Sequence, residues 1–362
     1  MRVLFLGDIV GSPGRGAVIG NLARIKKEHQ IDFIIVNGEN AAGGRGITPK
    51  ISIDLLRAGA AVITTGDHVW DQREIQEYFP TEPRLLRPLN CEEDAPGAGS
   101  VVLETTKGKV AVLNAMGRTF MNPPLQNPFT ALDAEVSRLR EDGIRMIVLD
   151  FHAEATSEKI AMGRALDGKV SLVVGTHTHV QTADERIFPG GTAYLTDAGM
   201  CGPDDSVLGR DFTSVVWRFR NGLPTRFPVA SGPVRLCGVI VDLDEESGKA
   251  EKIERFSELI EEDGRRILNQ IHVHDAARAC LFLSQRKAPG LFNASDSTPL
   301  SQLETYQGLA EILEKELPPS GEKNTSRKRA WTHKKVLNLK LTSLGWEPRY
   351  PSFLDAAREF AS

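Results

Sequence analysis

Cysteine is scarce and unpaired in this sequence: Cys91, Cys201, Cys237 and Cys280 stand far apart, with no Cys-x-x-Cys spacing. That excludes a disulfide framework and a cysteine-built zinc site, and the thiols read as reduced and mostly buried. Charge of one sign is lacking too. With 44 basic and 48 acidic residues the formal charge is −4 over 362 residues, which gives no global attraction to nucleic acid or to an anionic membrane. No apolar run approaches the roughly 20 residues that a membrane-spanning helix needs. The amino terminus is already an apolar strand pattern rather than a secretory leader, so the expected location is cytoplasmic. Gly11-Ser12-Pro13-Gly14-Arg15-Gly16 has neither the Gly-x-Gly-x-x-Gly register nor a Gly-Lys-Ser/Thr ending, which removes the dinucleotide and Walker readings. At 41% hydrophobic and 25% charged, the composition is that of an ordinary globular chain with a sizeable core.

What is present is a repeated pattern of short apolar runs that end in metal-ligand chemistry. Gly175-Thr176-His177-Thr178-His179 follows the run 170–174 and sets two imidazoles two residues apart in an extended turn, with glycine free to bend the strand tip. Imidazole is the commonest protein ligand for zinc, iron and manganese. The run 3–6 ends in Gly7-Asp8, 33–36 in Asn37-Gly38-Glu39-Asn40, 61–64 in Thr65-Gly66-Asp67-His68, and 146–149 in Asp150-Phe151-His152. In a parallel sheet the carboxyl ends of the strands line one edge, so these residues would converge in one crevice. Taken singly, each has a plain structural use. Asp8 would cap a helix over 13–28, Glu39 and Asn40 would be turn residues, Asp67 and His68 would cap a helix over 69–78, and His152 would be a buried, hydrogen-bonded histidine. Recurrence at successive strand ends favours a site for divalent ions.

The coarse pattern predicts an α/β sandwich. Apolar strands fall near 2–7, 32–37, 61–65, 110–114, 145–150 and 170–174, with amphipathic stretches near 14–29, 49–58 and 129–142 between several of them. The runs 101–104 and 109–113 read as a hairpin. After the histidine pair the spacing predicts strands near 185–188, 192–196, 212–220 and 234–243, which suit a second sheet, with Asn221-Gly222 as a turn between strands.

The order of these motifs resembles that of the calcineurin-like metallophosphoesterases and, more narrowly, the bacterial branch typified by the YmdB phosphodiesterases. The likeness takes in the Leu6-Gly7-Asp8-Ile9-Val10-Gly11 opening, Gly38-Glu39-Asn40, His68-Val69-Trp70-Asp71, Met116-Gly117-Arg118 and Thr196-Asp197-Ala198-Gly199-Met200. It runs from Met1 to about Phe256. It implies a four-layer αββα sandwich, with a catalytic domain over 1–256 and an extension over 257–362. Carried over by position, Asp8, Glu39, Asn40 and His179 would hold one metal, and Glu39, Asp67, His152 and His177 the other, with Glu39 bridging. His68 would be the proton donor to the leaving group. The commoner superfamily pattern has histidine where this chain has Val10, and in this branch Asn40 fills that gap. The branch carries asparagine where this chain has Asp67, so a negative charge is added beside the second metal.

The implied activity is a dinuclear-metal phosphodiesterase that hydrolyses 2',3'- or 3',5'-cyclic nucleotides by attack of a metal-bridging hydroxide. Mixed carboxylate, amide and imidazole ligation suits iron or manganese and accepts zinc. Asp71, one turn after His68, would orient it or simply serve the helix dipole. Arg118 is a candidate for contact with the phosphate, since guanidinium fits oxyanions bidentately, and equally a surface arginine. A phosphomonoesterase or nucleotidase with the same core, and a weakly active RNA-associated scaffold, stand as alternatives.

From about Arg255 the character changes. Helical spacing appears over 260–283 and 300–317, the latter closed by Pro318-Pro319. A basic segment over 323–340 carries Trp331 and is followed by Trp346 and Tyr350, which leaves open RNA contact or a solvated linker with a docking element. Self-association is also left open. His272 and His274 fall in the predicted helix, where residues two apart do not share a face, so no second metal site is expected there.

Overall fold

Side chains on a strand alternate between its two faces, and here that alternation sorts the apolar runs into layers. In chain order the first part of the protein runs β1 (Arg2–Leu6), β2 (Asp8–Ile9), α1 (Gly11–Glu28), β3 (Phe33–Asn37), α2 (Pro49–Ala58), β4 (Val62–Thr64) and α3 (Ile75–Tyr78). Then follow β5 (Ser100–Thr105), β6 (Gly108–Met116), α4 (Pro128–Glu141), β7 (Met146–His152), α5 (Thr156–Ala165), β8 (Leu172–Thr176), β9 (Arg186–Ile187) and β10 (Ala193–Leu195). It closes with β11 (Met200–Pro203), α6 (Phe212–Asn221), β12 (Val234–Leu243) and β13 (Ala250–Ile260). Val3, Phe5, Ile35, Val112, Val148 and Val174 meet in a core between two sheets. Their neighbours Leu4, Leu6, Ile34 and Val36 face the other way onto Val18, Leu22 and Ile25 of α1 and Leu55 of α2. Leu113, Ile147 and Leu149 likewise face Leu132 and Val136 of α4 and Met162 of α5. The result is the helix–sheet–sheet–helix stack expected from the motif order.

This computed structural model describes residues 1–260, 267–286, 289–317 and 336–361. It divides into two units, Met1–Ile260 and Glu261–Ser362. In the first unit one sheet has the order β2-β11-β12-β1-β3-β4 with β13 on β12, and the other has the order β5-β6-β7-β8-β10-β9. β1, β3 and β4 are mutually parallel (Val3↔Phe33, Ile35↔Val62), as are β6, β7 and β8 (Val110↔Met146, Val148↔Leu172). The ligand-bearing strand ends of each sheet therefore lie along one edge. Local signals fix the helices between them. Thr48 accepts the Ile51 N–H ahead of Pro49 and Gly59 ends α2 at φ 117°, while Asn127 caps α4 ahead of Pro128. The predicted hairpin is present as β5 and β6, with Ser100 opposite Leu113.

The strands after the histidine pair distribute differently from expectation. β9 and β10 complete the second sheet, but β11 and β12 return to the first, where β12 runs antiparallel to β1. Residues 212–220 are not a strand but helix α6. Asp211 accepts the Ser214 N–H at its start and Gly222 closes it at φ 68°, so Asn221-Gly222 is a helix end rather than a turn between strands. The expected helix over 69–78 is reduced to α3, because 67–74 is spent in turns such as Val69 N–H to Gly66 O and Asp71 N–H to His68 O. Of the helix expected over 260–283, the part from Val273 is helical, while Ile260 and Ile267–Leu268 lie in strands and 261–266 fall outside the described residues. β13 continues the ladder on β12 as far as Val234↔Ile260.

In the second unit β14 (Ile267–Leu268) pairs with β15 (Leu300–Ser301); Ala279 of α7 (Val273–Arg286) and Leu341 of α9 (Leu339–Thr342) cluster with Trp346, while α8 (Gln302–Ile312) packs on α10 (Phe353–Ala361). α8 is held by a capping box between Ser301 and Glu304. His272 lies just ahead of α7 rather than within it, and its ring meets that of His274 at 4.9 Å. Among the described residues this pair joins no group able to hold a metal. Most of the basic segment, with Trp331, lies outside the described residues. Cys91, Cys201 and Cys237 are buried free thiols and Cys280 is exposed. Among the described residues no helix is long and apolar enough to cross a membrane.

Candidate metal centre

Five strand ends deliver their polar residues to one place. Asp8 opens β2, Glu39 and Asn40 follow β3, Asp67 and His68 follow β4, His152 ends β7, and His177 and His179 follow β8. Asp8, Glu39 and His152 are fully or almost fully buried, at 0%, 1% and 0% exposure. His152 Nε2 lies 3.0 Å from Asp67 Oδ1 and 4.0 Å from Glu39 Oε1, and His177 Nδ1 lies 3.1 Å from His152 Nε2. His179 Nε2 lies 3.1 Å from the Asn40 amide and 3.8 Å from Asp8 Oδ1. Asp67, His152 and His177 form one group of candidate ligand atoms within 4.8 Å of one another, and Glu39, Asp67 and His68 form a second.

The donor set also fits a cation by what it leaves unmet. Asp8 Oδ1 and Glu39 Oε2 are buried without a hydrogen-bond partner. A buried carboxylate oxygen with no donor is costly, and a divalent cation satisfies it directly. The other oxygens are spent on holding the cluster together: Asp8 Oδ2 accepts the His177 N–H at 3.1 Å and Glu39 Oε1 accepts the His68 N–H.

Each histidine has its second nitrogen tied, which fixes the first. His152 Nδ1 is 2.9 Å from Thr176 Oγ1, whose hydroxyl donates to Asp150 Oδ1 at 2.7 Å. That chain keeps a proton on Nδ1 and leaves Nε2 as the nitrogen that faces the cluster. His179 Nδ1 sits 3.1 Å from the Leu208 carbonyl, leaving Nε2 inward, and His177 Nε2 sits 3.2 Å from Glu154, leaving Nδ1 inward. Asp150 itself is fully buried and also accepts from Thr64 Oγ1 and Asn37 Nδ2. Burial pushes its pKa up to about 6 against those hydrogen bonds and the His152 charge.

The backbone strain of the loop falls on the histidines rather than on Gly175. His177 and His179 adopt φ of 100° and 65°, a region that non-glycine residues rarely enter. Asp197 holds them there by accepting the Thr178 N–H at 3.1 Å and its hydroxyl at 2.8 Å, and Asp197 is itself paired with buried Lys159 at 2.7 Å. Gly175 is required for a different reason, since a side chain there would strike the Thr196 carbonyl. Gly66 is required because a side chain would occupy the place of the His152 ring.

Charge in the cluster follows its geometry. Burial raises Glu39 well above the carboxylate range. Burial also works against Asp67, but hydrogen bonds from His152 and His177 hold it far below its ordinary value. For His152 burial alone would lower the pKa, yet the Asp67 hydrogen bond and the Glu39 and Asp8 charges push it up to about 10. A cation must therefore displace protons from Glu39 and His152. Its apparent affinity is expected to strengthen by up to about tenfold per pH unit for each proton displaced, read by chelator competition between pH 6 and 8. The raised His152 pKa also stabilises the chelated chain below pH 6.5, and that contribution is lost as pH climbs toward 10. The melting temperature without metal is thus expected to fall over that window while the gain on adding metal grows.

His68 is half-buried, with Nδ1 3.4 Å from Asp71 and 3.8 Å from Asp67. Burial lowers its pKa, with Asp67 and Asp71 pulling it back up and Arg45 pushing it down. Arg45 reaches this corner by its ion pair to Asp71 at 3.0 Å, a placement the sequence reading did not foresee. Arg118 is exposed on the loop after β6, which is tied to the end of β7 by Gly117 N–H to His152 O at 2.9 Å. Its amide donates to Glu158 at 3.0 Å, and its guanidinium makes no hydrogen bond or ion pair among the described residues. Asp150, Thr176, Asp197 and Lys159 were missed as functional support, although Asp150 and Asp197 lie inside motifs that drew notice.

Residues 4–256 match the profile of the family described as YmdB-like protein. The chain is 49% identical over 263 residues to the 2',3'-cyclic-nucleotide 2'-phosphodiesterase of Bacillus subtilis strain 168, covering 73% of this chain and 98% of that protein. Crystal structures of a hypothetical protein from Thermus thermophilus and of a novel phosphatase from Mycoplasma pneumoniae are each 37% identical to it. They superpose with TM-scores of 0.67 and 0.68, covering 72% and 73% of this chain and 100% and 95% of theirs. The family match ends at residue 256, before the second unit.

Proposed function

This chain belongs to the YmdB-like protein family, and from that premise we propose that it is a metal-dependent phosphodiesterase that opens cyclic nucleotides, the 2',3'-cyclic class before the 3',5'-cyclic. One divalent ion would be held by Asp8, Glu39, Asn40 and His179, and the other by Glu39, Asp67, His152 and His177, with Glu39 serving both. Iron or manganese suits this donor set best. The observation that carries the reading is the pair of orphaned oxygens, Asp8 Oδ1 and Glu39 Oε2, buried among inward-facing imidazoles. When bound, two such ions neutralise phosphate oxygens and bring a water to an acidity at which it attacks phosphorus near neutral pH.

The chain's own groups do the remaining work. His68 turns Nδ1 toward Asp71, so Nε2 is the atom that meets the leaving oxygen and gives it a proton. The Asp71 carboxylate stabilises the charged imidazole before transfer. Arg118 supplies a guanidinium to the phosphate from the loop fastened to the end of β7. The Asp150–Thr176 chain keeps His152 in the tautomer that ligation requires.

A panel of 2',3'-cyclic nucleotide, 3',5'-cyclic nucleotide, nucleoside monophosphate and bis-para-nitrophenyl phosphate tests the assignment on the metal-loaded chain. The 2',3'-cyclic substrate is expected to give the highest kcat/KM. Faster release of phosphate from the monoester would replace the reading by a nucleotidase. Asp67 carries an added negative charge, which tightens the second ion, opposes the acidification of water and repels the phosphate. Asp67→Asn is accordingly expected to raise turnover or move the pH optimum downward. An unchanged pH–rate profile with unchanged metal content would contradict this.

A further inference from the structure

The second unit contains a cleft of about 400 Å³ whose walls include Ile271, His272, Tyr350, Phe353 and Phe360. At this apolar and aromatic cleft lies the side chain of Asp296, only 3% exposed, and neither of its carboxylate oxygens has a hydrogen-bond partner. Gln270 Oε1 in the same wall is likewise buried and unmet. The two residues are tied through their backbones, the Asp296 N–H donating to the Gln270 carbonyl at 2.7 Å. In the same wall the Ser352 hydroxyl donates to Asp355 at 2.7 Å, and His272 Nδ1 accepts the His274 N–H at 3.3 Å. Among the described residues no lysine or arginine lines the cleft. Burial pushes the Asp296 pKa up to about 6, with the Phe353 N–H drawing it down while meeting hydrogen-bond geometry at neither oxygen.

A buried acid without a donor costs the fold stability unless a ligand answers it. The lack of a lysine or arginine among the described wall residues argues against a phosphate as the occupant. A carboxylate with two unpaired oxygens accepts a parallel pair of N–H groups, and aromatic walls favour a flat body between them. We propose that this cleft binds a small flat group presenting paired N–H donors, a guanidinium or the amidine edge of a guanine base, with Asp296 accepting the pair and Gln270 Oε1 taking a further N–H. The site is independent of the metal cleft and of the phosphodiesterase reading.

Calorimetric titration of the full chain with agmatine and, separately, with guanosine tests it. Saturable one-to-one heat with agmatine identifies the guanidinium source, and with guanosine the base. Asp296→Asn, which leaves one acceptor oxygen and no charge, is expected to weaken that binding by at least about tenfold. It is also expected to melt no earlier than the parent chain, since it removes an unanswered buried acid. Absence of heat with both probes at millimolar concentration would overturn the proposal. So would equal binding by Asp296→Asn, or earlier melting of that variant, which would mean the carboxylate is held by the fold itself.

Discussion

Glu39→Gln is expected to lower kcat on the order of 10³-fold while leaving the chelated chain as stable as the parent or more so. Glu39 is 1% exposed, accepts the His68 N–H through Oε1 and leaves Oε2 without a donor. Glutamine has the same shape and keeps a carbonyl for His68, so the turn after β4 stays in place. What it loses is the charge and the second ligating oxygen that sharing two ions requires. Burial already disfavours the Glu39 carboxylate strongly, so neutralising it relieves the metal-free fold rather than straining it. Activity and stability should therefore move in opposite directions, as at sites where function is kept at a cost in stability. Melting in chelator, beside steady-state kinetics and metal content in added manganese, reads both. A parallel loss of stability and activity would instead make Glu39 a structural residue.

Lys159→Met is expected to destabilise the chain by about 3–5 kcal/mol, because it breaks a buried ion pair and strands one partner. Lys159 and Asp197 have side chains 1% exposed and meet at 2.7 Å. Asp197 keeps the Thr178 and Gly199 N–H donors and the Thr178 hydroxyl, but these do not neutralise its charge in a dry site. The same carboxylate holds the strained backbone of His177 and His179, so metal affinity should fall with stability. The double variant Lys159→Met with Asp197→Asn should recover a good part of the stability, since no buried charge is then left alone. Urea denaturation of Lys159→Met, Asp197→Asn and the double variant measures the coupling. A single-variant loss under about 1 kcal/mol would show that the pair is solvated, at odds with its burial.

The layered architecture was legible because buried strands of a parallel sheet are apolar on both faces and end abruptly in glycine and ligand residues. Gly7-Asp8, Gly38-Glu39-Asn40 and Gly66-Asp67-His68 announce both where a strand stops and what it presents. The supports of the site were harder to read. Thr176 and Asp150 belong to separate strands, and only the register Asp150↔Val174 and His152↔Thr176 brings them to His152. Lys159 and Asp197 meet across 38 residues of chain, a pairing no local pattern carries. Where local patterns misled, two signals competed. Val215-Val216-Trp217 has strand composition, but the Asp211 and Gly222 caps decided for helix. β13 mixes charge with apolar positions because it lies along the outer edge of β12, and no regular pattern announced it as a strand. The strain at His177 and His179 left no mark in the sequence, since histidine enters positive φ more often than most residues but still rarely.

Crystals of the chain grown with manganese and measured for anomalous scattering test the central claim most directly. Two peaks are predicted in one cleft, the first bounded by Asp8, Glu39, Asn40 and His179, the second by Glu39, Asp67, His152 and His177. A single peak, or density that leaves Asp8 Oδ1 and Glu39 Oε2 without a cation, would contradict the account.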